Sequence, residues 1–369
     1  AWVILSWLDG LRRLGFRVHF VEQVNAETCV DGIGARATFA ESVNLEYFRR
    51  VFAQFKLLDA ATLVRDEGAE TFGLAYAELR DLLAGADLLV NITGHLAAEP
   101  LKRAPRLRAY VDLDPGFTQF WHAQGRAPWA RLGGHEFYFT VGENVGTPLC
   151  NIPTGGVEWR RVRQPCVLGE WTPEPPPAEL RFTTVASWRG AYAPVEHDGR
   201  TYGLKAHEWR KFFALPRLAG REFEIALDIH PAEERDLRAL AENNWRVVSP
   251  RERAADPDSF RRYVQGSSAE FSAAQQIYVE TGSGWFSDRT VRYLASARPA
   301  LVQDTGFGEH LPAGEGLLSF RTLDEAVEGA NRIARDYDRH ARAARRLAEE
   351  YFDSDKVLCQ FVEEIGVAP

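Results

Sequence analysis

A glycine-rich turn in the last third of the chain is suited to bind an anion. The turn, Thr281-Gly282-Ser283-Gly284, follows an apolar segment, and a helix is predicted to begin near Ser287. The first amide N–H groups of a helix have no intrahelical partner and lie at the positive end of the helix dipole. The turn and the helix start together therefore predict a phosphate-binding geometry.

The start of this helix also carries a carboxylate. Ser287 is suited to cap the helix, and Asp288 follows it in the first turn. A carboxylate at this position either stabilises the helix dipole or reaches a ribose hydroxyl of a nucleotide. Because serine and aspartate are the ordinary residues of helix starts, the pair taken alone favours capping, and the ribose contact stays an alternative.

A histidine follows an apolar strand in the first half of the chain. The predicted strand at 87–92 runs into Thr93-Gly94-His95, where the glycine permits a close approach of the backbone. An imidazole titrates near neutral pH, so His95 is suited to remove a proton from an attacking hydroxyl or to hydrogen bond a donor sugar. A structural histidine at a strand end is an equally good interpretation.

Two carboxylates, Asp112 and Asp114, follow the next predicted strand. They could orient His95, act as catalytic groups themselves or coordinate substrate hydroxyls. Their spacing is formally that of a metal-binding Asp-x-Asp pair, so metal dependence stays open. A turn rich in Asp, Pro and Gly is the competing interpretation of this segment. The aromatic residues at 120 and 121 follow it and are suited to cover a sugar or a flat aglycone, although helix packing would also explain them.

The order of features from residue 280 to residue 307 resembles the C-terminal donor-binding domain of GT-B glycosyltransferases. These enzymes have a glycine-rich turn, an acidic residue that opens a helix, a small-residue turn before proline, a strand and a polar loop with glycine. Here Ala297 stands where glycine is usual, and Asp288 stands where many relatives have glutamate. The aspartate side chain is one methylene group shorter than glutamate and has a shorter reach to the ribose.

The resemblance implies a role for each matching residue in binding a nucleoside-diphosphate sugar. Ser283, Gly284 and Ser287 would contact the pyrophosphate, and Asp288 the ribose. The residues that would face the donor sugar are Asp304, Thr305 and Gly306. With lower specificity, the resemblance also implies that Val248 lies beside the nucleobase and that Arg189 and Lys205 neutralise the leaving diphosphate; a buried strand and solvated surface cations are the alternatives. It implies no bound metal and no cofactor.

These residues require elements that bring them to one cleft, and the hydrophobic pattern predicts such elements in both halves of the chain. In the first half we predict helices at 1–13 and 76–83 and strands at 17–22, 87–92, 107–113 and 136–141. The chain begins in a helical pattern, so a first strand and its loop before Ala1 stay possible. We predict one α/β domain over 1–155, followed by a proline-rich linker over 156–180.

The second half continues the alternation of strands and helices. We predict strands at 180–187, 223–229, 245–248, 276–280 and 299–303, and helices at 206–214, 232–242, 256–265, 287–296 and 323–352. The prediction is an α/β fold of two Rossmann-like, doubly wound domains that face each other across a cleft. The second domain covers 181–352, and we expect the segment 353–369 to pack back on the first domain.

Composition excludes some partners. The 44 basic and 52 acidic side chains give a formal net charge of -8 and form no basic stripe for nucleic acid. No apolar run approaches the length of a membrane span. The four cysteines are far apart, which predicts neither a zinc site nor a disulfide framework, and we expect a cytoplasmic protein.

Together these observations predict an enzyme that moves a glycosyl group, hexosyl or related, from a nucleoside-diphosphate sugar, such as a UDP or dTDP sugar, to a hydroxyl of a small acceptor. The acceptor could be a natural-product aglycone, a sugar or another small molecule. One alternative is an NAD-dependent dehydrogenase or other dinucleotide enzyme; Glu22 ends a strand where a ribose-binding acid would lie, but the first domain does not open with Gly-x-Gly-x-x-Gly. The other alternative is a non-catalytic binding protein of two α/β lobes.

Overall fold

The computed structural model describes residues 1–190 and 192–369, without the side chains of residues 127 and 128. In the first half of the chain the helices and strands are α1 (Trp2–Arg13), β1 (Phe20–Val24), α2 (Val43–Gln54), β2 (Ala61–Arg65), β3 (Glu70–Phe72), α3 (Tyr76–Ala84), β4 (Leu88–Ile92), α4 (Glu99–Lys102), β5 (Leu107–Asp112), α5 (Phe117–Ala123), α6 (Ala127–Ala130), β6 (Phe137–Thr140) and β7 (Trp159–Arg161).

In the second half they are β8 (Arg181–Ser187), β9 (Val195–His197), β10 (Arg200–Tyr202), α7 (Lys205–Trp209), α8 (Leu215–Ala219), β11 (Glu222–Asp228), α9 (Glu234–Glu242), β12 (Trp245–Val248), α10 (Pro250–Arg253), α11 (Pro257–Gln265), β13 (Ala269–Ser272), α12 (Gln276–Glu280), α13 (Asp288–Ala295), β14 (Ala300–Gln303), β15 (Leu317–Phe320), α14 (Leu323–Arg335), α15 (Tyr337–Tyr351) and α16 (Ser354–Ile365).

The N-terminal domain distributes its strands over two sheets. One sheet has the order β1-β2-β3, with β3 antiparallel, and the other has the order β4-β5-β6-β7 with all strands parallel. Val21 of β1 and Leu89 of β4 pack against the same apolar cluster, so the two sheets lie side by side. Strand β7 falls inside the segment predicted as linker and forms the outer strand of the second sheet. His95 and Asp112 therefore lie at neighbouring carboxyl ends of a parallel sheet.

The C-terminal domain is built on one parallel sheet of six strands in the order β12-β11-β8-β13-β14-β15. The strand order reverses at β8, and ligands of open α/β sheets bind at such a point, outside the carboxyl ends of the strands. Strand β13 pairs with β8 only at Ala269 and Glu270. Beyond Glu270 the β13–β8 pairing ends, and this opens a crevice at the carboxyl edge.

Two predicted elements of this domain were wrong. Residues 276–280 form the helix α12, and the strand lies earlier, in β13. A single turn that buries adjacent apolar residues, here Ile277 and Tyr278, cannot be told from a strand by periodicity. The helix predicted over 323–352 is two helices, α14 and α15, because the backbone leaves helical geometry at Asp336.

Two segments cross between the domains. Helix α16 buries Leu358 and Phe361 in the cluster that also contains Trp7 and Phe139 of the N-terminal domain. In the opposite direction, the β9-β10 hairpin reaches helix α5, where the Phe120 ring lies 4.9 Å from the Tyr202 ring. No helix of the described residues has the length and apolar composition needed to cross a membrane.

Candidate active site

A lysine at the start of α7 faces the crevice of the C-terminal sheet. Burial, together with the charge of the nearby Arg289, lowers the pKa of Lys205 to about 7, whereas Glu270 and Asp288 act in the opposite direction. The Lys205 ammonium forms no hydrogen bond or ion pair with any residue that the structure describes. A partly charged, unpartnered amine beside a sheet edge is suited to receive an anionic group.

The crevice itself is filled by a buried arginine from α13. The Arg289 guanidinium donates to Glu270 Oε1 at 2.6 Å, to Ser272 Oγ at 2.6 Å and to the Val185 carbonyl at 2.9 Å. It therefore joins β8 and β13 where their pairing ends. The second Glu270 oxygen, Oε2, is buried without a hydrogen-bond partner among the described residues. Sequence reasoning missed both residues, because a charged pair inside a strand and a helix start carries no local signal.

The start of α13 keeps free amide donors. Ser287 occupies the N-cap position with an extended backbone, and its side chain makes no capping hydrogen bond. Asp288 is the first helical residue, and the amide groups of Asp288 and Arg289 donate to no described residue. The helix dipole and these N–H groups therefore point at the space beside Lys205, where they favour an anion.

The backbone amides of the glycine-rich turn before this helix are engaged within the protein, and the prediction that Ser283 and Gly284 contact the pyrophosphate stays a prediction. The amide of Ser283 donates to the Tyr278 carbonyl at 3.2 Å, and that of Gly284 donates to the Thr305 carbonyl at 2.7 Å. The Ser283 hydroxyl is buried and accepts from the Trp285 amide at 3.2 Å. The hydrogen bonds of the turn hold its own fold together.

An asparagine of the N-terminal domain lies against this turn. Asn144 Nδ2 donates to the carbonyls of Gly282 at 2.9 Å and Gly306 at 3.0 Å, and Asn144 Oδ1 is 2.8 Å from His310 Nε2. A Cβ atom added to Gly306 would lie 2.7 Å from Asn144 Nδ2, so only glycine fits there. Sequence reasoning missed this contact between domains.

The polar loop after β14 is also engaged within the protein. Asp304 forms an ion pair with Arg321 at 2.7 Å, and the Gly306 amide donates to the same carboxylate at 2.8 Å. The Thr305 hydroxyl donates to the Trp285 carbonyl at 2.6 Å. These contacts shape the loop, and the prediction that Asp304, Thr305 and Gly306 face a donor sugar stays a prediction.

The first carboxylate of the N-terminal domain is enclosed by hydrogen bonds within that domain, and its assignment as a catalytic group stays a prediction. Asp112 is fully buried, and it accepts from Thr118 Oγ1 at 2.9 Å, Gln119 Nε2 at 2.9 Å, Thr140 Oγ1 at 2.7 Å and the Asp114 amide at 3.2 Å. Burial raises the pKa of Asp112, although these hydrogen bonds act against the shift. Its role is to hold the loop that carries Asp114.

The second carboxylate lies at the cleft. Asp114 Oδ1 accepts from the Tyr278 hydroxyl at 2.9 Å, which joins the N-terminal domain to α12 of the C-terminal domain. Burial and the charge of Asp112 raise the pKa of Asp114 to about 6, although the hydrogen bond from Tyr278 acts against the rise. Asp114 therefore remains mostly ionised at neutral pH and can accept a hydrogen bond from a substrate hydroxyl. Tyr278 was missed, because its segment was predicted as a strand.

The loop after β4 presents His95 to solvent. Asn91 fixes the loop, since Nδ2 donates to the Leu96 carbonyl at 3.0 Å and Oδ1 accepts from the Leu96 amide at 3.1 Å. The atoms packed around the imidazole lower the pKa of His95, and the positive charge of Arg131 lowers it further. His95 is therefore neutral at pH 7 and can accept a proton.

Two further residues predicted to bind the donor, Arg189 and Val248, lie away from Lys205 and the start of α13. Arg189 forms an ion pair with Glu233, and 55% of its side chain is exposed. Val248 ends β12, two strands from β8 and partly exposed, at the carboxyl edge of the sheet. The structure thus brings Lys205, Ser287 and Asp288 together and leaves Arg189 outside. The described residues contain no group of three or more His, Cys, Asp or Glu that could hold a metal ion.

Several solved structures share this architecture. HepE from Anabaena in complex with UDP-glucose matches 94% of this chain and 99% of its own, with a TM-score of 0.60 and 11% identity. Sucrose-phosphate synthase from Thermosynechococcus elongatus matches 95% and 98%, with a TM-score of 0.54 and 11% identity. AviGT4, a glycosyltransferase involved in avilamycin A biosynthesis, matches 94% and 96%, with a TM-score of 0.53 and 10% identity.

These similarities cover nearly the whole of both chains, so they establish the fold. No protein-family model and no curated protein sequence matches the chain. The chain has the two-domain GT-B fold, as the order of features in residues 280–307 predicted.

Proposed function

We propose that this protein is a glycosyltransferase that moves a sugar from a nucleoside-diphosphate sugar to a hydroxyl of a small acceptor. One observation carries the proposal. The Lys205 ammonium, which has no partner among the described residues, and the unused amide donors at the start of α13 both lie near the point where the strand order reverses. In a GT-B fold this arrangement is suited to a diphosphate.

The donor is proposed to bind along the carboxyl edge of the C-terminal sheet. Lys205 and the α13 amides would hold the diphosphate, Asp288 would accept from the ribose, and Val248 would lie beside the base at the far end of the edge. A uridine nucleotide is the first candidate, because the similar HepE structure contains UDP-glucose. A dTDP sugar is the second.

The reaction proposed for the cleft needs one base and one cation. His95 takes the proton from the acceptor hydroxyl while its oxygen bonds to the anomeric carbon of the donor sugar. The bond between that carbon and the diphosphate oxygen breaks, and the electron pair leaves with the nucleoside diphosphate. Lys205 stabilises the charge that develops on this leaving group. Asp114 orients the acceptor by accepting from a second hydroxyl.

The acceptor is proposed to be a small molecule such as a sugar or a natural-product aglycone, bound in the N-terminal half of the cleft. We place the reaction in the cytoplasm, since all four cysteines are free thiols, which suits a reducing compartment.

Ligand-induced stabilisation tests the donor. UDP, UDP-glucose, dTDP-glucose and NAD are added separately, and the melting temperature is recorded. At 100 times its dissociation constant a ligand stabilises the fold by about 2.7 kcal/mol, so a nucleotide that binds is readily detected. We expect a shift with UDP or dTDP compounds and none with NAD, and sugar transfer or hydrolysis of the responding nucleotide sugar.

Two variants locate the site. Lys205→Met should weaken UDP binding by about 10- to 100-fold, since it removes a charge-assisted contact of about 1.5 to 3 kcal/mol. Lys356→Gln is the matched control, because its ammonium lies on α16 and donates only to the Glu349 carbonyl at an exposed position. A shift with NAD alone, or equal UDP affinity in both variants, contradicts the proposal.

A further inference from the structure

An arginine in the N-terminal half of the cleft is almost without partners. Arg131 follows α6, is exposed, and makes one weak hydrogen bond, from Nη1 to the Gly94 carbonyl at 3.5 Å. It forms no ion pair with any residue that the structure describes. A guanidinium carries five N–H donors in a planar fork, so most of its donors remain for a ligand.

The backbone around Arg131 is held in an uncommon conformation. Arg131 has φ +52°, and Thr93 and Gly94 on the facing loop have φ +52° and +65°. A Cβ atom added to Gly94 would lie 2.7 Å from the Cβ of Arg131, so the two loops are in close contact. Left-handed backbone at non-glycine residues costs free energy, and in native proteins such residues cluster at ligand sites.

A tyrosine from the other domain closes this space. Tyr192 precedes the β9-β10 hairpin, and its ring lies 4.9 Å from the Phe117 ring and 5.0 Å from the Trp121 ring. No hydrogen bond of the Tyr192 hydroxyl is formed with the described residues. Because Phe117 and Trp121 belong to α5 and Tyr192 to the C-terminal domain, both domains contribute to this aromatic cluster.

The charged and titratable groups that face the pocket are arranged around Arg131. Burial raises the pKa of Tyr192 to about 12, Asp114 adds to the rise and Arg131 acts against it. The positive charge of Arg131 also acts on His95. The charge of Arg131 therefore acts on both His95 and Tyr192, and the charge of Asp114 acts on Tyr192.

We infer that the acceptor carries an anionic group, a carboxylate or a phosphate, and that Arg131 binds this group and so determines acceptor specificity. The inference rests on the proposed function. A planar guanidinium with free donors binds either anion in a bidentate manner. Asp114 would repel the anion, which places the anionic group at Arg131 and the neutral hydroxyls of the acceptor at Asp114 and His95.

Binding of simple probes tests this assignment. The full-length protein is saturated with UDP, and D-glucuronate, D-glucose 6-phosphate and D-glucose are titrated by calorimetry. At least one of the two anionic sugars should bind about 10- to 100-fold more tightly than glucose, as expected for one charge-assisted contact. The stronger of the two identifies carboxylate or phosphate as the preferred group.

Variants of the arginine identify the residue responsible. Arg131→Gln should reduce the affinity for the preferred anionic sugar to that for glucose, with the affinity for UDP unchanged, and Arg131→Lys should retain part of the preference. Arg126→Gln is the matched control, since Arg126 lies in the same segment but stacks on Trp129, with its guanidinium carbon 5.0 Å from the ring centroid.

Two results would overturn the inference while leaving the proposed function in place. One is equal affinity of the wild-type protein for glucose and both anionic sugars. The other is a loss of UDP affinity in Arg131→Gln, which would assign the guanidinium to the donor. Failure of both the UDP and the dTDP compounds to bind would instead refute the proposed function, and the inference with it.

Discussion

Two basic side chains of the cleft have pKa values that are lowered by the protein around them. For Lys205 the cause is mainly burial, and its pKa is about 7; for His95 the causes are the atoms packed around the imidazole and the charge of Arg131. The amine is thus poised to take up a proton when an anion arrives. Because its pKa is lowered, the His95 imidazole is neutral at pH 7 and can accept a proton.

The titration of Lys205 predicts how donor binding depends on pH. Its folded-state pKa lies below the unfolded value of 10.5, so between about pH 7 and 10.5 the unfolded state holds more protons, and this group makes stability rise with pH. A bound diphosphate favours the charged amine. From pH 7 to pH 9 the affinity for UDP should therefore fall by up to about tenfold per pH unit. Calorimetric titration of wild type and Lys205→Met checks this, because the variant should show a flat profile.

The imidazole of His95 carries the prediction for the chemical step. Removal of a general base lowers the rate by about 10²- to 10⁴-fold, so His95→Ala should lower kcat by that factor while UDP affinity stays the same. Activity of the wild type should fall with acid below the ordinary pKa of histidine, because the protonated imidazole is no base. Steady-state kinetics and a UDP titration give both quantities.

A second histidine provides the control for this variant. His122 lies at a half-buried position on α5, with Nε2 3.3 Å from the Gly155 carbonyl. His122→Ala should keep near wild-type turnover. Wild-type turnover in a folded His95→Ala protein would exclude the base role and direct attention to Asp114.

At the scale of elements, the crevice between β8 and β13 depends on one buried ion pair. Arg289 replaces the missing pairing between these strands by donating to Glu270, Ser272 and the Val185 carbonyl. Because the same residue follows Asp288 in the first turn of α13, the pair also sets the position of the helix start. A change in this pair should therefore affect both stability and donor binding.

Neutralising the buried carboxylate tests this dependence. Glu270→Gln leaves the buried Arg289 charge without its counter-ion, which should cost about 3 kcal/mol of unfolding free energy. Denaturant unfolding measures the loss. Glu328→Gln is the comparison, because Glu328 forms an exposed ion pair with Arg335 and should change stability by less than about 1 kcal/mol. Equal effects of the two variants would contradict the role assigned to Glu270.

At the scale of the whole molecule, the two domains meet at several places beside the cleft. Asn144 binds the glycine-rich turn and the loop after β14, Tyr278 binds Asp114, and the β9-β10 hairpin packs on α5. The hairpin ends only three residues before Lys205. A short piece of chain therefore joins the hairpin that packs on α5 to Lys205.

The contacts of Asn144 predict a measurable contribution to the arrangement of the domains. Asn144→Ala removes two hydrogen bonds from buried carbonyls and should lower the free energy of unfolding by about 1 to 3 kcal/mol. It should also raise KM for the nucleotide sugar, because the turn before α13 loses its support. Asn151→Ala is the control, since Asn151 is exposed on the same loop and only its backbone amide contacts Thr281. The two variants are compared by denaturant unfolding and steady-state kinetics.

The sequence by itself determined the alternation of helices and strands, the fold class and the helix start at Ser287 and Asp288, because these follow from local periodicity, capping and turn chemistry. The resemblance also named Lys205 as a candidate cation for the leaving diphosphate, and that role stays a prediction. Local sequence patterns do not predict which polar groups form hydrogen bonds with each other in the folded protein. For this reason the strand at β13, which carries the buried Glu270, was assigned to the apolar residues 276–280.

Only the tertiary structure decided which polar groups are free and which are already bonded. Asp112 and Asp114 are two residues apart, yet one is enclosed by hydrogen bonds and the other lies at the cleft. The donors of Ser283 and Gly284 are used inside the protein, whereas those at the start of α13 are free. Asn144 meets Gly306 across 162 residues of chain, a contact that no local pattern contains. The hydrogen-bond partners of buried polar groups are often distant in sequence. These long-range hydrogen bonds determine which polar side chains and amides remain free to bind a ligand.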